Sequence, residues 1–148
     1  VYDEEMAFRV KLHRERRPKD WNTWEAPEDA HLAIEEAGKA HDMILFDCLT
    51  LYISNLLCAL ENVRDSAANY ELIREKISLL LEAAKKQEGT TIFVTNEVGA
   101  GIVPENHLAR EYRDITGIAN QLTARAADEV YVVSCGIAVD FKKLAVSW

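Results

Sequence analysis

Met43-Ile-Leu-Phe-Asp47 is a short apolar run held between two aspartates, Asp42 and Asp47, and its reading decides the fold. Successive side chains of a strand point to opposite faces, so an unbroken apolar run reads as a strand buried on both faces of a parallel sheet. The pattern returns at Thr91-Ile-Phe-Val-Thr95 and at Val130-Tyr-Val-Val-Ser134. Helical patterns alternate with these runs. Residues 3 to about 16 carry Asp3, Glu4 and Glu5 at the start and stop at Pro18, as the helix dipole and the proline ring require. Residues 28 to 40 follow, then 49 to 61. Residues 66 to 88 carry the stripe Leu72, Ile73, Ile77, Leu80, Leu81 and Ala84, with Gly89 as the stop. Residues 105 to 127 have Pro104 at or before the first turn. Ile137 to Phe141 reads as a further strand, antiparallel at an edge. The alternation predicts an α/β fold: a mostly parallel sheet with helices on both faces.

The chain is long enough, at 148 residues, for one domain with a core of its own. A hydrophobic share of 49% with 28% charged residues excludes both a disordered tail and a membrane-embedded chain. No apolar run is long enough to span a bilayer. Cys48, Cys58 and Cys135 are odd in number and lack CxxC spacing. They read as reduced thiols of a cytoplasmic protein, with little support for zinc. A net charge of −8 argues against a nucleic-acid partner, because phosphate backbones need a broad positive field. Against that background the cluster Arg9, Lys11, Arg14, Arg16, Arg17 and Lys19 stands apart. It suits a small anionic ligand better than a polymer.

In parallel sheets ligands sit beyond the carboxyl ends of the strands. That rule points to Asp47, to Asn96 and Glu97, and to Ser134 through Gly136. An aspartate at the end of an apolar strand can hold the magnesium of a nucleotide, as in a Walker B strand, or can simply cap the next turn. Thr50 can assist it or cap the following helix. The loop Asn96-Glu-Val-Gly-Ala-Gly-Ile-Val-Pro104 has two close glycines that would let backbone approach a ligand; it also reads as an ordinary strand-to-helix loop. Helical spacing puts Arg9, His13 and Arg17 on one side. A histidine among arginines can carry a nucleotidyl group, with the guanidinium forks neutralising phosphate. It can equally be a solvated basic helix end. Trp21 and Trp24 either stack on a flat ligand or anchor their loop, and Glu25 is either a ribose or guanine contact or a surface charge. His31, His41 and His107 read as surface or helix residues.

Together these segments resemble one family: the bifunctional adenosylcobinamide kinase / adenosylcobinamide-phosphate guanylyltransferases of cobalamin biosynthesis. The resemblance rests on Asp3-Glu-Glu-Met6, Arg9-Val-Lys-Leu-His13-Arg14, Arg17-Pro18, Trp21-Asn-Thr23, Glu25, Ile44-Leu-Phe-Asp-Cys-Leu-Thr50 and Asn55-Leu-Leu57. It continues through Thr95-Asn-Glu-Val-Gly-Ala-Gly-Ile-Val-Pro104, Leu108-Ala-Arg110, Arg113-Asp114, Gly117, Asn120-Gln121, Ala127-Asp-Glu-Val130 and Gly136. The resemblance implies a P-loop nucleotide-binding fold of RecA type and a homotrimer. It implies phosphorylation of adenosylcobinamide by ATP or GTP, followed by transfer of GMP from GTP, with Mg2+ present. His13 then matches the guanylylated histidine. Arg14, Glu15, Arg16 and Arg17 match a GTP-binding stretch, and Glu25 and Asp47 match further nucleotide contacts, with Asp47 toward Mg2+. Glu97 and Arg9 are further candidates.

The family's P-loop, GxxxxGK[ST], is not in this sequence; at Gly38-Lys39 an Ala40 stands where Ser or Thr belongs. With the abrupt start at Val1-Tyr2-Asp3, the expectation is a single nucleotide-binding domain over 1–148, incomplete at its N-terminus, with the first strand upstream. Two other readings compete. One is a non-catalytic relative that binds nucleotide or corrinoid. The other is a nucleic-acid binder using the basic cluster and the tryptophans, which the net charge opposes.

Overall fold

The computed structural model describes residues 4–60 and 66–146, and for Glu4, Met6, Arg9, His13, Arg14, Arg16 and Ser66 the description extends to the backbone only. Along the chain come α1 (Glu4–Arg16), α2 (Ala30–Ala37), β1 (Met43–Asp47), α3 (Leu49–Ala59), α4 (Ser66–Lys85) and β2 (Thr90–Val94). A short 3-10 turn (Val98–Ala100) leads to α5 (His107–Ala126), β3 (Tyr131–Ser134), β4 (Ile137–Asp140) and α6 (Phe141–Leu144).

β1 and β2 pair in parallel, with Ile44 opposite Thr91, Phe46 opposite Phe93 and Asp47 opposite Val94. Parallel neighbours need a crossover, and α3 and α4 supply it. Ile44, Phe46 and Phe93 pack against a core built from α2, α3, α4 and α5. Phe46 meets Tyr52 of α3 and Phe93 of β2 at ring-centroid distances of 5.7 and 5.5 Å, within the range that favours aromatic pairs. Leu49, Ile53 and Leu57 of α3 lie against Ile73, Ile77 and Leu80 of α4 and Ile115 of α5 in that core, all at most 2% exposed. Burying side chains of this size is worth about 1.5–3 kcal/mol each before the entropy of ordering is set against it. The expected α4 stripe survives at Ile73, Ile77 and Leu80. Its edges shift: Leu72 turns outward and Ala83, not Ala84, is buried.

Two expectations about the sheet are corrected. β3 does not pair with β1 or β2 among the described residues; it forms its own antiparallel hairpin with β4, with Tyr131 opposite Asp140. The reason is the turn. Cys135 and Gly136 have φ of 54° and 78°, the left-handed pair that a two-residue hairpin requires. Nor do the described residues cover the parallel pair on both sides: Met43, Leu45, Ile92 and Val94 occupy the alternate positions and are exposed among them. An apolar run tells which residues can be buried, not which helix covers them.

Gly89 also has a different task from ending a helix, since α4 stops at Lys85. The Thr90 N–H donates to the Asp42 carbonyl at 2.8 Å, which starts the β1–β2 pairing. A Cβ on Gly89 would fall 2.1 Å from that carbonyl oxygen. Gly117, in the middle of α5, is the opposite case: a Cβ there meets nothing within 4 Å. The Tyr52 hydroxyl donates to the Glu28 carbonyl at 2.8 Å and ties α3 to the segment before α2. Burial pushes this phenol up from 10.0 to about 12, with the charges of Asp29 and Glu28 adding to the effect and a backbone hydrogen bond at Ala30 opposing it.

Two measurements follow. In chemical denaturation, Gly117→Ala should stabilise the fold by up to about 1 kcal/mol, while Gly89→Ala should destabilise it by more than about 1 kcal/mol. Because the folded state holds the Tyr52 proton more tightly than the unfolded chain, its contribution to stability is complete below pH 10 and is lost as pH rises from there to about 12. A Tyr52→Phe variant should show a flatter decline in that window, and tyrosinate absorbance should lose its late-titrating component.

Candidate functional site

Since Asp47 opposes Val94, the chain leaves β1 and β2 side by side at their carboxyl ends. The residues that follow are bound to one another. Asn96 Nδ2 donates to Thr50 Oγ1 at 3.4 Å, and Cys48 Sγ lies 3.0 Å from the same hydroxyl. Tyr112, from α5, donates to the Thr50 carbonyl at 3.3 Å. Thr50 is buried; it is not the cap of α3, a place taken by Cys48, whose side chain makes no capping hydrogen bond to the helix backbone. It bridges the two strand exits instead.

The loop after β2 is gripped along its length by one side of α5. Asn120 accepts from Thr95 Oγ1 at 2.6 Å and donates to the Asn96 carbonyl and to Glu97 Oε1, each at 3.1 Å. Arg113 donates to the Gly99 carbonyl at 2.5 Å. Arg110 donates to the carbonyls of Pro104 and Glu105 at 3.1 and 2.5 Å. The spacing 110, 113, 120 keeps these groups on one face of the helix. The opposite face carries Glu111, Ile115, Thr116, Ala119 and Thr123 into the interior. Asn106 caps the helix, accepting from the Ala109 N–H at 3.1 Å. Glu97 is exposed, so the loop presents a carboxylate beside the Asp47 exit on a backbone held by three helical side chains.

The second candidate group lies elsewhere. Arg17 donates to Thr23 Oγ1 at 3.3 Å, and the Trp21 N–H donates to the Pro18 carbonyl at 3.2 Å. Asn22 Nδ2 sits 3.0 Å from His41 Nε2, and the Trp24 ring meets the His41 ring edge-on at 5.4 Å. His41, read from sequence as a surface residue, is therefore the anchor of this segment. Trp24 serves to hold the loop, while Trp21 remains half exposed. His41 precedes β1, whereas Asp47 ends it. At the usual rise per strand residue the two ends are about 13 Å apart. The structure thus brings Asp47, Thr50, Asn96 and Glu97 together, and holds Arg17 and the exposed Glu25 near the other end of β1. The side chains of Arg9, His13, Arg14 and Arg16 lie outside the described residues; their backbone is helical, within α1, as is that of Glu15.

Sequence reading marked Asn96 and Glu97 through the strand-end rule and Asn120 as part of the family resemblance, but missed the grip of Asn120 on the loop and the bridging role of Thr50. Neither role carries a local signal, since the groups from other elements that they join lie 23 to 62 residues away. For magnesium, no group of three or more His, Cys, Asp or Glu suited to a metal occurs among the described residues. One exposed carboxylate at a strand end is what a magnesium ion uses when nucleotide phosphates and water supply the remaining ligands. Asp47 fits that requirement.

The family model described as "Cobinamide kinase / cobinamide phosphate guanyltransferase" matches residues 1–141. The bifunctional adenosylcobalamin biosynthesis protein CobU of Salmonella typhimurium is 42% identical over 147 residues, covering 96% of this chain and 81% of the relative. The CobU of Escherichia coli is 37% identical with the same coverage. The bifunctional adenosylcobalamin biosynthesis protein CobP of Pseudomonas aeruginosa is 34% identical over 140 residues, covering 95% of this chain and 76% of the relative.

The grip of α5 on the loop is measurable. Arg113→Ala should raise amide hydrogen exchange at residues 98–101 by about tenfold, the loss of roughly one hydrogen bond, and leave exchange in β1 unchanged.

Proposed function

The chain belongs to the cobinamide kinase / cobinamide phosphate guanyltransferase family, and from that premise we propose that it catalyses both reactions. It phosphorylates adenosylcobinamide with ATP or GTP, then transfers GMP from GTP to the product. The observation that carries this reading is the bound cluster at the carboxyl ends of β1 and β2: Asp47 ends β1 opposite Val94, and Asn96, next to Glu97 in the family's most distinctive string, Thr95 to Pro104, is bound to Thr50 beyond β1. A crevice there is where a nucleotide enters an α/β sheet. The parallel pair ending in Asp47 supports a P-loop fold of RecA type and a single nucleotide-binding domain.

In the first reaction the substrate hydroxyl oxygen bonds to the γ-phosphorus and the bridging oxygen to the β-phosphorus departs with the diphosphate. The hydroxyl proton passes to the Glu97 carboxylate, a general base within the crevice. Asp47 would hold Mg2+ together with the phosphates and water, and the ion would neutralise the developing charge. In the second reaction a neutral His13 nitrogen bonds to the α-phosphorus of GTP and pyrophosphate leaves. A phosphate oxygen of adenosylcobinamide phosphate then displaces His13 from phosphorus, giving adenosyl-GDP-cobinamide and free imidazole. Arg9, Arg14, Arg16 and Arg17 offset phosphate charge. Glu15 and Glu25 complete the nucleotide contacts, Glu25 toward the ribose or guanine.

Within one copy the 17–25 segment and the Asp47 crevice lie near opposite ends of β1. A homotrimer, the assembly the family resemblance implies, allows the segment of one copy to meet the crevice of another. Among the described residues no helix is long and apolar enough to cross a membrane, and we place the enzyme in the cytoplasm, with small molecules rather than nucleic acid as partners.

Incubation with GTP labelled in the α-phosphate tests the carrier. The parent protein should retain acid-labile label, and His13→Ala should retain none; full labelling of that variant would remove His13 from the mechanism.

A further inference from the structure

Asn120 has no part in the scheme above, yet its one side chain holds three consecutive residues of the crevice loop. Its amide orientation follows from chemistry. The Asn96 carbonyl and the Glu97 carboxylate can only accept, so the nitrogen must face them, at 3.1 Å each. The Thr95 hydroxyl, at 2.6 Å, can donate to the remaining oxygen. Two donors and an acceptor in a single plane are what an amide offers and what a carboxylate, a hydroxyl or an ammonium does not. Both hydrogens of the nitrogen are engaged.

The two sides of this grip are separately rigid. Asn120 follows Ala119, which is 2% exposed in the core, and stands one turn after Thr116, which is 1% exposed. The loop begins at Val94, which is paired with Asp47. Glu97 itself is exposed, on a residue outside regular structure, where a long carboxylate side chain is otherwise free to sample many rotamers. Asn96, held by its carbonyl, also donates its side-chain amide to Thr50 Oγ1. One side chain therefore holds Glu97 and the residue that bridges to the β1 exit.

We propose that Asn120 is a positioning residue for phosphoryl transfer: it holds Glu97 Oε1 and the Asn96 carbonyl so that Glu97 meets the substrate hydroxyl. The assignment rests on the reading of Glu97 as the proton acceptor. It differs from a purely structural role in what its loss does, because catalysis by a placed base is far more sensitive to small displacement than binding or folding is.

The test is a double-mutant cycle in the full-length protein, with adenosylcobinamide and ATP as substrates. Asn120→Ala should lower kcat by about 100-fold, with the KM for ATP and the melting temperature little changed. Asn120→Asp, which keeps an acceptor for Thr95 but places a carboxylate against Glu97, should be at least as slow. The pair Glu97→Gln/Asn120→Ala should match Glu97→Gln alone within about twofold, the margin within which independent effects are told apart. Fully additive losses, a normal kcat in Asn120→Ala, or restored activity in Asn120→Asp would overturn the role of Asn120. If Glu97→Gln keeps full activity, the Glu97 assignment fails and the positioning role falls with it. If Glu97→Gln is slow and Asn120→Ala is not, Glu97 stands and only Asn120 is dismissed.

Discussion

The contact on which the rest depends is the approach of Gly89 and Thr90 to the Asp42 carbonyl. It exists because Gly89 has no Cβ to strike that oxygen, and the Thr90 N–H closes the first bond across the two strands. From that point the parallel register runs residue against residue to Asp47 and Val94. The crevice is thus located by a constraint at its far end. A slip of one residue there would turn either Ile44 and Phe46 or Phe93 off the core, according to which strand moved, and shift Asp47 relative to the loop beyond β2.

α5 connects stability to chemistry through its two sides. Ile115 and Ala119 bury it in the core, while Arg110, Arg113 and Asn120 take hold of backbone and side-chain groups from Thr95 to Glu105. A glycine-containing loop has a large conformational entropy to lose. Spreading its restraint over three side chains of one rigid helix makes the loop an extension of the core. Thr50 does the same on the other wall, joined to Asn96 and Tyr112.

The segment from Arg17 to Glu25 is held differently. Its bonds are short in sequence, between Arg17 and Thr23 and between Trp21 and Pro18. The contacts at Asn22 and Trp24 converge on one imidazole, that of His41.

Much was legible in the amino-acid order because it is written in local periodicity. The runs Met43–Asp47 and Thr91–Thr95 (β2 itself begins one residue earlier), the long helix α4 and the helix α5 are each specified within their own residues, by apolar spacing and by Pro and Gly. The strand-end rule then named Asp47, Asn96 and Glu97 without any coordinates. The tertiary structure alone decided which face of the parallel pair is covered, that β3 turns back on β4, that Gly89 serves a close approach, and that Thr50, His41 and Asn120 have partners far away. The physical reason is range. Periodicity reports which side of an element is apolar, whereas a hydrogen bond between Asn120 and Glu97 depends on how two separately formed elements come to rest against one core.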